Sequence, residues 1–317
     1  MSAPSTGGAS RDGYGSGLLR IAEDPRVVVI EADLGKSTKS CHFRTKYPSK
    51  SFSMGIAEQN MMLVAAGMAA SGKIPFASTF AIFTERAFEQ VRNGIARPGL
   101  TVHICGSHGG IHTGTDGSSA QSIEDLAIYR TIPGMAVLHP CDDLSAEELT
   151  VQLLNHDGPT YMRTARNKIS RIYNHDSVRE LKIGQGSVVR SGSDVCIIAC
   201  GVMVSQALIA AGELADSGIN ATVIDMHTLK PLDTGLVDLM AVSCGCFVTA
   251  EDHSVIGGLG GAVAEHLSTG ITVPLEMVGV RDEFGQSGES SELMSRMGLT
   301  SEDIKNSALK AISRKSG

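Results

Sequence analysis

The chain contains no tryptophan, and aromatic residues make up only 4% of it. Net charge is −7 with the basic residues scattered, so neither a basic, aromatic-lined surface for nucleic acid nor a membrane-surface helix is expected. No apolar run is long enough to span a bilayer. The opening "MSAPSTGGASRDGYGSG" lacks the apolar core of a secretory signal, and a cytoplasmic location is expected. Seven cysteines are an odd number without zinc-ribbon spacing, and "CGC" at 244–246 is too tight for the usual metal pairs. Reduced, mostly buried thiols are the better expectation. No Walker A motif occurs. "GGLGGAVAEH" (257–266) has the glycines of a dinucleotide fingerprint, but it follows "EDHSVI" and lacks an acidic ribose ligand about 20 residues on. What is present is 317 residues, 42% of them apolar, enough for two domains with their own cores.

Strand-like and helix-like runs alternate throughout, the pattern of a parallel sheet wrapped by helices, so the fold class is α/β. "VVVIEADL" (27–34), "PFASTF" (75–80), "LTVHICG" (100–106), "MAVLHP" (135–140) and "PTYMRT" (159–164) predict buried strands, with helices at 55–71, 82–96, 122–131 and 143–155. The polar stretch 165–186 breaks the rhythm and suggests an interdomain linker. Strands then follow at 194–201, 220–226, 246–251 and 272–280, with helices near 203–217, 234–242, 257–268, 289–297 and 301–313. The expected division is a first domain over 1–170, a linker over 171–190 and a smaller second domain over 191–317.

Open parallel sheets bind ligands beyond the carboxyl ends of their strands. In the first domain those ends deliver Asp33, Leu34 and Ser37, then Phe80 and Phe83, then the loop "GSHGGIHTGTDGSSAQS" (106–122), then His139, and last Arg163 and Arg166. The glycine-rich loop interleaves His108, His112 and Asp116, which brings backbone close to a ligand with titratable groups facing it. A flexible surface loop with polar filler has the same composition. Two histidines and one acid do not define a metal site. Arg163 and Arg166 suggest an anionic, phosphorylated substrate, with surface ion pairing as the competing explanation. "SMGIAEQNMMLVAAGMAASG" (53–72) places one carboxylate, Glu58, in the first turn of a helix apolar enough to be buried on most of its surface. Glu58 either complements the helix dipole or does chemistry.

In order along the chain, "GIAEQN" (55–60), "TFAIF" (79–83), "GTDG" (114–117), "DGPT" (157–160), "LKPLD" (229–233), "GGLGGAVAE" (257–265) and "DEFGQSG" (282–288) resemble the C-terminal half of a transketolase. The resemblance implies a thiamine-pyrimidine-binding domain followed by a transketolase C-terminal domain. It also implies ylide attack on a ketose phosphate and transfer of a two-carbon glycolaldehyde unit to an aldose. Glu58 matches the glutamate that hydrogen-bonds N1′ of the aminopyrimidine; a carboxyl removed from water shares a proton readily with a ring nitrogen. Phe80 and Phe83 match aromatics packed on the pyrimidine, and Leu34 a residue between the two cofactor rings. Arg11, Ser37, His108 and Arg166 match positions that hold the sugar phosphate, and Asp116 the acid that recognises a substrate hydroxyl.

Two departures stand out. Ala120 occupies the place of a substrate-facing histidine, which puts xylulose phosphate in doubt as donor, with His112 as a compensating candidate. Arg86 replaces an aromatic of the pyrimidine pocket, where a guanidinium can also stack on a ring. The diphosphate-binding signature is missing, so the resemblance implies that Mg²⁺ and diphosphate are held by a separate N-terminal subunit in an α2β2 heterotetramer. A thiamine-dependent 2-oxo-acid dehydrogenase β subunit and a non-catalytic partner of the same fold are the rival readings. In the second domain, Asp252 and His253 are expected to form a structural polar pair.

Overall fold

Val27–Glu31 (β1) is five consecutive buried residues, as expected of a strand covered on both faces. The computed structural model, which describes residues 7–315, joins it with Ser51–Ser53 (β2), Ile74–Phe80 (β3), His103–Ser107 (β4), Ala136–Leu138 (β5) and Thr160–Thr164 (β6). The second sheet draws on Ser187–Arg190 (β7), Val195–Ala199 (β8), Ala221–Asp225 (β9), Phe247–Ser254 (β11) and Leu275–Val280 (β12), and Thr228–Lys230 (β10) lies between β9 and β11 in sequence. The first sheet has the order β10-β5-β6-β4-β3-β1-β2, parallel except for β10 on β5. The second has the order β12-β11-β8-β9-β7, parallel except for β7 on β9. Two α/β units follow, as expected.

The long periodic elements lie close to where the sequence predicts them; the short ones do not. β2, β7 and β10 are three or four residues each and carry no hydrophobic run of their own. β10 leaves the second half of the chain to complete the first sheet, and the His139 amide donates to the His227 carbonyl at 2.8 Å beside it. The predicted helix 82–96 is broken into Ala81–Arg86, Phe88–Gln90 and a wide π-type turn at Val91–Ala96. Ser10–Arg20 forms a helix in spite of three glycines, each of which costs helix propensity. Packing overrides that cost, because a Cβ at Gly13 would collide with the Asp143 carbonyl and one at Gly17 would meet the Thr150 side chain. The glycines let this helix lie directly on the helix Asp143–Leu153.

The polar connection after β6 is pinned to both halves. Arg171 donates two hydrogen bonds to the Asp143 carboxylate, at 2.8 and 2.7 Å, and the Tyr173 hydroxyl donates to Asp225 Oδ2 at 2.9 Å. One apolar core runs across the junction, from Ile30 and Ala77 to Ile198 and Phe247. All seven cysteines are free, and six are buried. Among the described residues no helix is long and apolar enough to cross a membrane.

Candidate functional site

Strands β6, β4, β3 and β1 lie side by side and point the same way, so the residues beyond their carboxyl ends are brought together. β1 turns at Asp33 into the short helix Gly35–Thr38, with Leu34 at its N-cap; β3 ends at Phe80 and leads into Ala81–Arg86. β4 opens the loop that begins with His108, and β6 leads to Arg166. The helix Ser10–Arg20 is tied to the same edge, since the Ala165 amide donates to Ser10 Oγ at 2.7 Å. This anchoring presents Arg11.

An unbroken line of contacts connects seven of the expected residues. Arg86 Nη1 donates to Glu58 Oε2 at 2.8 Å, and the Arg86 guanidinium lies 5.4 Å from the centre of the Phe83 ring. Phe83 stacks on Phe80 at 5.5 Å, and Phe80 stacks on His108 at 3.9 Å. His108 Nε2 meets Arg11 Nη1 at 3.3 Å, and Arg11 Nη1 also donates to the Ser37 carbonyl at 3.0 Å. A guanidinium has only donors, so His108 Nε2 is the acceptor and its Nδ1–H donates to Ser107 Oγ at 2.8 Å. Burial, reinforced by the charges of Arg11, Arg166 and Lys39, pushes the His108 imidazole down to about 3 and keeps it neutral. Asp116 faces Arg166 at 3.3 Å, both partly exposed.

Glu58 itself is only 1% exposed, at the head of a helix whose N-cap, Ala57, supplies no side-chain cap. The helix is less enclosed than its composition suggests: Met61, Met62, Ala65 and Ala66 are buried, while Leu63 is 51% exposed and Ile56, just before the helix, 77%. Its apolar character thus extends onto a face that this chain leaves uncovered.

Backbone strain marks the same place. Four non-glycine residues have positive φ among the described residues, and three of them, Asp33, Lys39 and His108, surround this edge. Such conformations persist where surrounding structure enforces them, and they concentrate at functional sites.

One expected residue lies elsewhere. Arg163 is not a substrate cation. It is buried, sits 3.2 Å from Asp125, and donates to the carbonyls of Asp252 at 2.7 Å and Ser122 at 2.5 Å. A desolvated guanidinium must be matched internally, and these groups match it. His112 is fixed through its backbone: its amide donates to Asp252 Oδ2 at 3.0 Å and its carbonyl accepts from Asn167 at 2.6 Å and Ser290 at 3.0 Å. It lines, together with Arg166, a cleft of about 610 Å³. Ala120 is buried and brings only a methyl group.

The supporting network around Arg163 has no signature along the chain. Glu85 accepts from Ser122 Oγ at 2.5 Å, and burial, with repulsion from Asp125 and Glu124, raises its carboxyl to about 8. Asp252 accepts from the Ile111 amide at 2.7 Å, and Glu251 accepts from the amides of Leu259 and Gly260 at 2.7 and 2.8 Å. The "GGLGG" segment is therefore a helix start capped by a carboxylate of its own domain. In place of the expected pair with each other, Asp252 holds the loop of the first domain at Ile111 and His112, and His253 accepts from the Ala127 amide of the helix Asp125–Arg130.

A buried carboxylate beside two half-buried phenyl faces suits an aromatic heterocycle with a ring nitrogen to protonate. The Arg11, Ser37 and Arg166 end suits an anion. Among the described residues no three His, Cys, Asp or Glu side chains converge as a metal site.

The family model for the transketolase pyrimidine binding domain matches residues 9–171, and that for the transketolase C-terminal domain matches residues 184–304. The 6-deoxy-6-sulfo-D-fructose transketolase subunit SqwH of Clostridium sp. (strain MSTE9) is 43% identical over 96% of this chain and 95% of its own length. Transketolase-like protein 2 of Mus musculus is 37% identical over 93% of this chain but only 47% of itself. A solved structure described as a split gene transketolase, an inactive beta4 tetramer, superposes with a TM-score of 0.88 at 42% identity, covering 98% of this chain and 99% of that one. Domain models and relatives agree, and the chain belongs to the transketolase family.

Proposed function

We propose that this chain is one subunit of a two-chain, thiamine-diphosphate-dependent transketolase that moves a two-carbon ketol unit from an anionic ketose to an aldose acceptor. The observation that carries the reading is the line from Glu58 through Arg86, Phe83, Phe80 and His108 to Arg11, with a carboxylate at one end and an anion-binding group at the other. Thiamine diphosphate, when bound, supplies the electron sink for carbon–carbon cleavage. Glu58 is assigned the hydrogen bond to N1′, Phe80 and Phe83 the pyrimidine face, Leu34 the contact between the rings, and Arg86 the edge of the pocket. Arg11, Ser37 and Arg166 take the anionic tail, and Asp116 orients a substrate hydroxyl. His108 is neutral, and once Arg11 turns to the tail its Nε2 lone pair is free to accept a hydrogen bond from a donor hydroxyl.

Diphosphate and Mg²⁺ are assigned to a separate N-terminal subunit, in an α2β2 heterotetramer. Support comes from a relative named as a subunit, a split relative described as inactive as a beta4 tetramer, and full-length relatives about twice as long. The uncovered apolar residues Ile56 and Leu63 beside Glu58 suit burial by that second chain. A cytoplasmic setting is part of the proposal and is in keeping with seven free thiols. For the donor, a sulfonate tail in place of phosphate is the second reading, favoured by the identity with SqwH and by the methyl group of Ala120.

The test is reconstitution with the diphosphate-binding chain that co-purifies from the same cells, supplied with thiamine diphosphate and Mg²⁺. Ketol transfer by the pair and by neither chain alone is expected. Transfer by this chain alone would overturn the two-chain reading, and a stable pair inactive on every ketose would overturn the enzymatic one.

A further inference from the structure

Lys39 follows the short helix Gly35–Thr38 with φ of +70°, a conformation that glycine adopts without strain and lysine does not. Space has been cleared for it. A Cβ at Gly15 would lie 2.8 Å from Lys39 Cβ and 3.0 Å from its carbonyl oxygen, so the helix that carries Arg11 and Asp12 is open at that point. Lys39 Nζ reaches across to Asp12 Oδ1 at 3.3 Å, with the lysine side chain 26% exposed and the aspartate 44%. An ion pair this exposed is weak and is readily exchanged for a better anion.

Arg11, Lys39 and Arg166 all act on the His108 ring; Lys39 pairs with Asp12 and Arg166 with Asp116, while among the described residues no carboxylate lies within ion-pair distance of Arg11, which meets the Ser37 carbonyl and His108 instead. Arg11 Nε is, in addition, buried without a hydrogen-bond partner. One further negative group would satisfy both the charge and the donor, and Ala120 brings no donor that would compete for it.

We propose that Lys39 is a specificity-determining residue whose ammonium leaves Asp12 to pair with the tetrahedral oxyanion tail of the ketose, phosphate or sulfonate, beside Arg11 and Arg166. The inference rests on the ketol-transfer reading of the site, and the two are tested separately. The full chain is titrated calorimetrically with inorganic phosphate and with methanesulfonate, as wild type and as Lys39→Met, which keeps the bulk and the backbone strain. Binding about tenfold weaker in the variant is expected, the scale of one charge-assisted hydrogen bond, and the stronger of the two wild-type titrations identifies the preferred tail. In the reconstituted enzyme, the kcat/KM ratio of a tailed ketose over uncharged erythrulose is expected to fall by a similar factor through KM. Lys39→Arg should restore most of it. No anion binding by the wild type, equal binding by Lys39→Met with an unchanged melting temperature, or equal losses on charged and uncharged donors would overturn the proposal. Weakened anion binding in a pair that turns over no ketose would leave the anion site standing and sink the ketol-transfer reading.

Discussion

The carboxyl ends of β8, β9 and β11 deliver Cys200, Asp225, Glu251, Asp252 and His253, all of them buried. Those of β1, β3, β4 and β6 deliver Leu34, Phe80, His108 and Arg166, of which only His108 is buried. Both edges occupy the position where parallel sheets bind ligands, and both are rich in titratable side chains. They differ in where the hydrogen bonds go. On the second sheet Glu251 and Asp252 accept from backbone amides and His253 accepts from the Ala127 amide. On the first sheet the charges face one another across a partly open surface, and three left-handed non-glycine residues hold them there. Residue type alone does not separate a binding edge from a structural one; spare hydrogen-bonding capacity that a ligand can reach does.

The comparison is broken most severely at Glu58. Replacing it with Gln in the reconstituted enzyme should cost about 10²–10⁴ in kcat, the range of a lost proton-transfer partner, with little change in melting temperature. A variant that keeps its turnover would remove Glu58 from the chemistry. On the buried side, Arg163→Met should lower stability by about 3–5 kcal/mol in urea unfolding, because Asp125 is left charged and unmatched. A loss below about 1 kcal/mol would mean that the network does not depend on this cation.

The second edge also predicts a pH dependence. Burial raises Asp225 and Glu251 to about 7, and Glu85 between the edges to about 8. Each binds its proton more tightly folded than unfolded, so its contribution is complete below about pH 4 and is lost as pH rises through 7 to 8. Burial lowers His227 and His253 to about 4, and their contribution is lost in the opposite direction, as pH falls from about 6.5. The two groups oppose each other below pH 6.5, and above it only the acids act. Asp225→Asn should therefore reduce the fall in stability between pH 6 and 8 by about 1 kcal/mol. Parallel curves for variant and wild type would show that Asp225 does not titrate there. The smallest effect is expected from Arg86→Met. Its pair with Glu58 is 2.8 Å long, but the arginine side chain is 53% exposed, and the loss of stability should stay below about 1 kcal/mol. A loss as large as that of Arg163→Met would erase the distinction between the two edges.

Much of this was legible in one dimension. β1, β6, β8 and β9 lie within predicted strands and β3, β4 and β11 overlap theirs, running past them by one to three residues, and the expected convergence of Leu34, Phe80, His108 and Arg166 follows from their placing at or beyond strand ends. Short elements were not legible, because three residues such as Thr228–Lys230 carry no period and take their structure from the neighbour they pair with. The helix Ser10–Arg20 was missed for the opposite reason: its glycines argue against a helix locally and serve its packing globally. Arg163 was grouped with the site because it falls at a strand end, and it is held by Asp252, which lies 89 residues away.

By itself, the sequence determined the α/β class, the two-unit organisation and the residue types gathered at one sheet edge. Hydrophobic periodicity and strand-end position are local properties, and they survive in any window of the chain. Only the tertiary structure decided which charges stay within reach of solvent. Desolvation and pairing depend on atoms brought together from both halves, and they bury Arg163 against Asp125 while leaving Lys39 and Arg166 in partly exposed pairs with Asp12 and Asp116.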